Sequence, residues 1–115
     1  MRTSVVKSYQ VQYPDPIILR AGELVTLGTR DQEYPGWIWA TSSADGRCGW
    51  VPQHFLAVDG TRGRALRDYS AQELAVTEGD GVQVIDQVLG WALVESDGGR
   101  QGWVPVASLD LPSVP

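Results

Sequence analysis

One seven-residue string occurs twice in the chain, and this duplication limits what the chain can fold into. Residues 46–52 read Gly-Arg-Cys-Gly-Trp-Val-Pro and residues 99–105 read Gly-Arg-Gln-Gly-Trp-Val-Pro, so six of seven letters agree at an offset of 53. Each copy follows an apolar run that begins with a tryptophan, Trp37 or Trp91. In a chain of 115 residues, a repeat near half the length predicts two small units of about 55 residues each.

The two copies of the string lie in the same succession of short strands. The predicted strands of the first half are residues 5–9, 24–27, 37–41, 47–51 and 56–58, and those of the second are 65–69, 82–85, 91–95, 100–104 and 108–111. Pro52 and Pro105 lack a backbone donor and should end the strands that they follow. The sequence therefore predicts an all-β chain of two five-stranded small barrels in tandem, with domains at 1–58 and 62–112.

Charge and hydropathy limit the function classes. The net charge is −5, and residues 59–115 carry four basic against nine acidic side chains. Such an acidic half is poorly suited to a phosphate backbone, so we expect no nucleic-acid partner. No run approaches the ~18 apolar residues of a membrane span, and the N-terminus lacks an apolar stretch of signal-peptide length. We expect no membrane partner and a cytoplasmic location, with which the single Cys48 agrees.

The sequence offers no set of catalytic or metal-binding residues. His54 is the only histidine and Cys48 the only cysteine, and they fall on different predicted elements. One of each is too few for a zinc site without recruited carboxylates, and a nucleophile with its base and acid cannot be assembled. No glycine-rich phosphate loop is present. We therefore expect a protein that is not an enzyme and has no cofactor and no metal.

The motifs of both halves resemble the Src-homology 3 (SH3) domain. The second half carries Ala-Leu-Arg-Asp-Tyr at 65–69, Glu-Leu-Ala-Val-Thr-Glu-Gly-Asp at 73–80 and Gly-Trp-Val-Pro at 102–105. The first half is similar through Tyr9, Gly22-Glu23, Gly36-Trp37 and residues 49–52. The combination of residues 13–16 with 34–39 is also similar to small bacterial proteins made only of such domains. The resemblance covers nearly the whole chain and implies a module that binds a protein or peptide.

The resemblance also implies an aromatic ligand groove in each unit. The implied groove residues are Tyr9, Trp37, Pro52 and Phe55 in the first unit, and Tyr69, Trp91 and Pro105 in the second. Acidic residues beside the groove would hold a basic ligand residue, and the candidates are Glu73 in the second unit and Asp15 and Glu33 in the first. Flat aromatic rings bind the prolyl faces of a polyproline II segment at little entropic cost. The expected partner is therefore an extended, basic protein or peptide segment that can contain proline.

Several positions depart from the family pattern. The first groove tyrosine is replaced by Lys7 and Arg67, and the last groove aromatic of the second unit is replaced by Ser108. Trp50 and Trp103 occupy positions that we interpret as structural. Gly49 and Gly102 are expected to permit either close packing of the backbone or a positive φ.

Two alternatives to peptide binding remain open at this point. The first is a structural or self-associating protein in which the two grooves pack on each other. The second is an SH3-like barrel that binds nucleic acid, against which the absence of a basic patch counts. A monomer or a weak homodimer is expected.

Overall fold

Short antiparallel strands make up most of the computed structural model, which describes residues 1–111. The predicted domain end at residue 112 lies outside these residues. The strands are β1 (Arg2–Ser4), β2 (Ile18–Leu19), β3 (Leu24–Arg30), β4 (Trp37–Ser42), β5 (Cys48–Pro52), β6 (Leu56–Asp59), β7 (Arg62–Ala65), β8 (Tyr69–Ser70), β9 (Gly81–Val88), β10 (Trp91–Ser96) and β11 (Gln101–Pro105). Single 3-10 turns follow β5 and β11, at Gln53–Phe55 and Val106–Ser108. Among residues 1–111, no helix is long and apolar enough to cross a membrane.

The chain forms two compact units that are interleaved in sequence. Unit 1 consists of Met1–Gln12 together with Glu73–Pro115, and unit 2 consists of Tyr13–Gln72. The chain therefore passes from one unit to the other at residues 12–13 and again at residues 72–73. This division differs from the contiguous domains 1–58 and 62–112 that the sequence repeat predicts. The all-β class and the two small barrels are confirmed, but each barrel draws strands from both repeats.

Unit 2 is a barrel whose five-stranded sheet has the order β5-β4-β3-β7-β6. Strand β7 follows β6 through a tight turn at Gly60, whose φ of +63° glycine adopts without strain. It then pairs with both β3 and β6. A second, two-stranded ladder pairs β2 with β8. The buried apolar side chains of this unit include Ile17, Leu19, Val25, Val51 and Ala65.

Unit 1 is built from the four-stranded sheet β1-β9-β10-β11. Its fifth strand is reduced to one antiparallel bridge between Val5 and Leu109. These two residues belong to a buried cluster that also contains Leu74, Val76, Val82, Val84, Ala92, Val94 and Val104. The opening strand of the chain thus completes a barrel whose other strands come from the second repeat.

Two equivalent segments are exchanged between the repeats. We call residues 1–12 the N-terminal arm and residues 62–72 the middle arm. They align at an offset of 60, which matches Val5 with Ala65, Lys7 with Arg67, Tyr9 with Tyr69 and Gln12 with Gln72. In unit 1, Tyr9 of the N-terminal arm bridges to Val76. In unit 2, Tyr69 of the middle arm pairs with Leu19.

One pair of equivalent positions in the two arms favours the placement of the N-terminal arm in unit 1 and of the middle arm in unit 2. Gly63 of the middle arm pairs with Val25 in unit 2, and Thr3 of the N-terminal arm pairs with Val82 in unit 1. A Cβ atom at Gly63 would lie 3.2 Å from Val25 Cγ2, so a side chain here would require Val25 to shift by a few tenths of an ångström. Thr3 is accommodated in unit 1, where its hydroxyl donates to the Asp110 carbonyl at 2.6 Å. The N-terminal arm therefore fits unit 1 better than unit 2.

Gly63→Thr should destabilise unit 2 by about 1–3 kcal/mol, because the threonine overpacks the interior beside Val25. Urea unfolding followed by tryptophan fluorescence measures this loss. Ala57→Thr is the matched control, since Ala57 is exposed on the neighbouring strand β6. Equal unfolding midpoints for Gly63→Thr and the wild type would show that the glycine does not select the middle arm.

The glycine of the repeated string lets an incoming loop lie directly on the strand. A Cβ atom at Gly102 would lie 2.6 Å from the Glu73 carbonyl carbon and 2.7 Å from the Leu74 nitrogen. At Gly49 it would lie 2.7 Å from Cγ2 of Ile17. The loops are held there by backbone bonds, from Leu74 N to the Trp103 carbonyl at 3.2 Å and from Ile17 N to the Cys48 carbonyl at 3.1 Å. The expectation of close backbone packing at both glycines is confirmed.

Gly102→Ala and Gly49→Ala should differ in cost although both lie in the same motif. At Gly102 the obstacle is backbone, which cannot move without breaking the bridge to Trp103, so we expect a loss of about 3 kcal/mol. At Gly49 the closest atom is a side-chain methyl that can shift, so we expect about 1 kcal/mol. Chemical denaturation of the two variants side by side gives the difference. A larger loss at Gly49 would contradict this account of the motif.

Candidate functional site

The outer side of the β4–β5 hairpin in unit 2 carries a row of aromatic residues. The register pairs Trp37 with Pro52 and Trp39 with Trp50. Because successive side chains of a strand point to opposite faces, these two pairs share one face. The alternate residues on β4 and β5, including Ile38 and Val51, are buried in the barrel.

Three of these aromatic side chains contact one another and remain partly exposed. The Trp39 and Trp50 rings meet edge to face with centroids 5.1 Å apart, and the Tyr13 ring lies 5.5 Å from that of Trp39. Trp50 Nε1 lies 3.4 Å from the Tyr13 hydroxyl in a long hydrogen bond. Tyr13 is 39 % exposed, and both tryptophans are half-buried.

Phe55 forms the other end of the row. Its ring lies 5.7 Å from that of Tyr69 and 4.7 Å from the His54 ring, both in edge arrangements. The Arg67 guanidinium lies over the Phe55 ring, with Cζ 4.4 Å from the centroid. The Tyr69 hydroxyl donates to the Trp50 carbonyl at 2.8 Å and so ties the middle arm to β5.

Seven residues form this outer side of unit 2, and we call the surface the aromatic face. They are Tyr13, Trp37, Trp39, Trp50, Pro52, Phe55 and Tyr69. Trp37, Pro52, Phe55 and Tyr69 are buried, with Trp37 only 4 % exposed. The accessible part is therefore formed by Tyr13, Trp39 and Trp50.

The sequence predicted different groups of groove residues. It placed Tyr9 with Trp37 and Phe55, and Tyr69 with Trp91. Because the arms are exchanged, Tyr69 contacts Phe55 in unit 2, and the Tyr9 ring lies 5.7 Å from that of Trp91 in unit 1. The structure therefore groups these side chains differently from the sequence prediction, and their contact with a ligand stays a prediction.

The sequence prediction also missed Trp39 and assigned Trp50 a structural role. Strand alternation was the available signal, since Trp39 lies two residues after Trp37 and therefore points to the same side. The contact of both tryptophans with Tyr13 has no local sequence signal, because Tyr13 belongs to a distant loop.

The acidic candidates of unit 2 lie in two different environments. Asp15 Oδ1 is 3.5 Å from Arg47 Nε, so its charge already has a partner at the protein surface. Asp31 Oδ1 accepts hydrogen bonds from the backbone nitrogens of Glu33 and Tyr34, at 2.9 and 3.3 Å, and thereby shapes the β3–β4 loop. Glu33 is exposed on that loop. Partial burial raises the pKa of Tyr34, and the charges of Glu33 and Asp31 raise it further.

Unit 1 uses its acidic candidate inside the fold. Glu73 is only 8 % exposed, and it accepts hydrogen bonds from the Tyr9 hydroxyl and, at 3.2 Å, from the Gln12 nitrogen. The sequence interpretation placed Glu73 beside the groove as a ligand for a basic residue. In the structure its carboxylate instead fastens the end of the N-terminal arm.

The aromatic surface of unit 1 is smaller than that of unit 2. Trp91 pairs with Pro105, but Leu93 stands opposite Trp103 where unit 2 has the Trp39–Trp50 pair. Trp103 is buried, and the position of Phe55 is taken by the buried Ser108. The loop that carries the acidic residues in unit 2 is reduced here to a two-residue turn, Leu89-Gly90, in which both residues have positive φ.

The titratable side chains of residues 1–111 form no group of three or more that could hold a metal ion. Cys48 lies 3.3 Å from the Thr41 hydroxyl, on the same side of the hairpin as Trp39. Neither observation provides a catalytic set.

The geometry defines a pair of small β-barrels, one of which has an accessible aromatic surface beside an acidic loop. Comparison with protein families gives the same class. Residues 4–59 match the variant SH3 domain and residues 64–106 match the SH3 domain. The chain belongs to the SH3 family, whose members are generally non-enzymatic modules of protein interaction. Each match follows one sequence repeat and therefore includes parts of both structural units. No solved structure matches the chain.

Tyr9→Phe should cost unit 1 more stability than Tyr69→Phe costs unit 2. The first change removes a donor from a buried carboxylate, for which we expect about 2 kcal/mol, whereas the second removes a bond to a neutral carbonyl worth about 1 kcal/mol. Urea unfolding of both variants measures the difference.

A double variant tests whether the loss at Tyr9 arises from Glu73. Glu73→Gln removes the buried charge, so adding it to Tyr9→Phe should recover part of the lost stability. Strictly additive effects of the two substitutions would contradict a direct Tyr9–Glu73 interaction.

Proposed function

We propose that unit 2 binds an extended, proline-containing segment of a partner protein on its aromatic face. The observation that carries this proposal is the contact of Tyr13, Trp39 and Trp50 on the outer side of the β4–β5 hairpin, where all three keep exposed surface. Half-exposed tryptophans supply apolar area without losing further conformational freedom on binding, because their neighbours already hold them.

The chemistry of the surface suits a polyproline II segment. Such a segment makes no internal hydrogen bonds, is already extended, and presents flat prolyl rings at a regular spacing. Two tryptophan rings set at 76° to each other provide two differently oriented walls for such rings. The hydrogen bond that Trp50 Nε1 donates to the Tyr13 hydroxyl restricts the orientation of the Trp50 ring.

The acidic β3–β4 loop supports a preference for a basic residue in the bound segment. Glu33 is exposed there, and Asp31 lies in the same turn. Burial is the largest cause of the raised pKa of Tyr34, and the charges of Glu33 and Asp31 raise it further. A lysine or arginine of the segment would be attracted to this loop.

Trp39→Leu tests the proposal with a substitution that the fold already tolerates, since unit 1 carries leucine at the equivalent position 93. The probe is an octaproline peptide with alanine at each end, acetylated and amidated. Loss of a central aromatic contact should weaken its binding about fivefold to tenfold. Isothermal titration calorimetry measures the affinity, and urea unfolding checks that stability is retained.

Trp91→Leu in unit 1 is the matched control and should leave the affinity unchanged. Equal affinities of the wild type and Trp39→Leu, or absence of binding by the wild type, would overturn the proposal. In nuclear magnetic resonance spectra, shift changes confined to unit 1 would likewise overturn it.

A further inference from the structure

We infer that the Phe55 end of the aromatic face recognises a carboxylate of the bound segment through Arg67. This inference rests on the proposed function and adds the partner's charge at one defined position. Sequence comparison with the family pointed only to a basic partner residue, held by an acidic side chain.

Arg67 changes what the Phe55 ring can bind. Its guanidinium covers one side of the ring, at 4.4 Å from the centroid, and the Tyr69 and His54 rings contact it edge to face. With its surroundings filled in this way, Phe55 is only 7 % exposed. A prolyl ring therefore has no open face of Phe55 to stack on, and the groups that this end presents to solvent are the Arg67 guanidinium and the His54 imidazole.

Within the described part of the chain, the hydrogen-bond donors of Arg67 are mostly unused. Nε lies 3.4 Å from the Asp68 carbonyl, which is a long hydrogen bond. Among residues 1–111, neither Nη atom has a hydrogen-bond partner and no carboxylate forms an ion pair with this guanidinium. The neighbouring Asp68 carboxylate accepts instead from the Ala21 nitrogen at 2.9 Å.

A planar guanidinium with two free amino groups matches a carboxylate in a bidentate arrangement. Packing against Phe55 restricts the orientation of the guanidinium, so less conformational freedom is lost when it binds. The chemistry at this end is therefore selective for an aspartate or glutamate side chain, or for a terminal carboxylate.

Acidic and basic side chains both flank the aromatic face. Glu33 and Asp31 lie on the loop before Trp37, and Arg67 lies on Phe55. The Gln53 nitrogen donates to the Gly36 carbonyl at 2.7 Å, which joins the acidic loop to the turn that carries Phe55. Arg67 would thus add a preference for an acidic residue to the preference for a basic one.

Three peptides and four proteins test the inference. The peptides are octaproline with alanine at the N-terminal end and alanine, glutamate or lysine at the C-terminal end, all acetylated and amidated. The proteins are the wild type, Arg67→Met, Arg67→Glu and Lys7→Glu. Arg67→Met keeps an apolar stem on Phe55. Lys7→Glu makes the same net charge change as Arg67→Glu at the equivalent position of unit 1.

For the wild type and Lys7→Glu, the glutamate peptide should bind about threefold to fivefold more tightly than the alanine peptide. The advantage should vanish in Arg67→Met, and in Arg67→Glu the lysine peptide should become the tightest. Raising the salt concentration should reduce these differences and leave the affinity of the alanine peptide nearly unchanged.

The outcomes separate the inference from the function on which it rests. Equal affinities of the three peptides for the wild type would overturn carboxylate recognition and leave peptide binding intact. A loss of the glutamate preference in Lys7→Glu as large as in Arg67→Glu would overturn the role of Arg67, because overall charge alone would explain it. If none of the three peptides binds, the proposed function and this inference both fail.

Discussion

The rest of the structure depends on the close approach of one backbone segment to a glycine of the repeated string. In unit 1 residues 73–74 lie against Gly102, and in unit 2 Ile17 lies against Gly49. These contacts fix where each loop leaves its barrel, and hence where Tyr13 and Glu73 are placed. A side chain at either glycine would push the loop outward. The motif is therefore repeated because both barrels need space for a backbone segment at the same glycine. The tryptophans that follow the two glycines lie in different environments.

The exchange of arms makes the aromatic face a product of both repeats. Tyr69 and Arg67 come from the opening segment of the second repeat, whereas Trp39, Trp50 and Phe55 come from the first. Neither repeat carries the whole surface within its own sequence. The same connectivity places Tyr9 beside Glu73, which is a residue of the second repeat. Side chains that lie together on one surface therefore come from both repeats.

Local patterns in the sequence were sufficient for the fold class but not for the partition of strands. Alternation and the two strand-ending prolines have local causes, and the structure bears them out. The arms are indistinguishable on such grounds, because Tyr9 and Tyr69 occupy equivalent positions in the same apolar pattern. What separates them is the tight space beside Val25, where Gly63 fits as it stands and a side chain would press on a Val25 methyl group. That distinction is a property of packing in three dimensions. Burial of Glu73 escaped prediction for the same reason, since its partners Tyr9 and Gln12 lie some sixty residues earlier.

The two units have diverged in how they use the same positions. Unit 1 pairs its tyrosine with a buried carboxylate, replaces the second hairpin tryptophan by Leu93 and the last aromatic by Ser108, and shortens its acidic loop to a turn. Each of these changes removes a contact that an external ligand could make. Unit 2 keeps two half-exposed tryptophans, retains the acidic loop and places Arg67 on Phe55. Since a barrel needs neither exposed tryptophans nor a guanidinium stacked on its surface to be stable, these features of unit 2 are better explained by recognition than by folding.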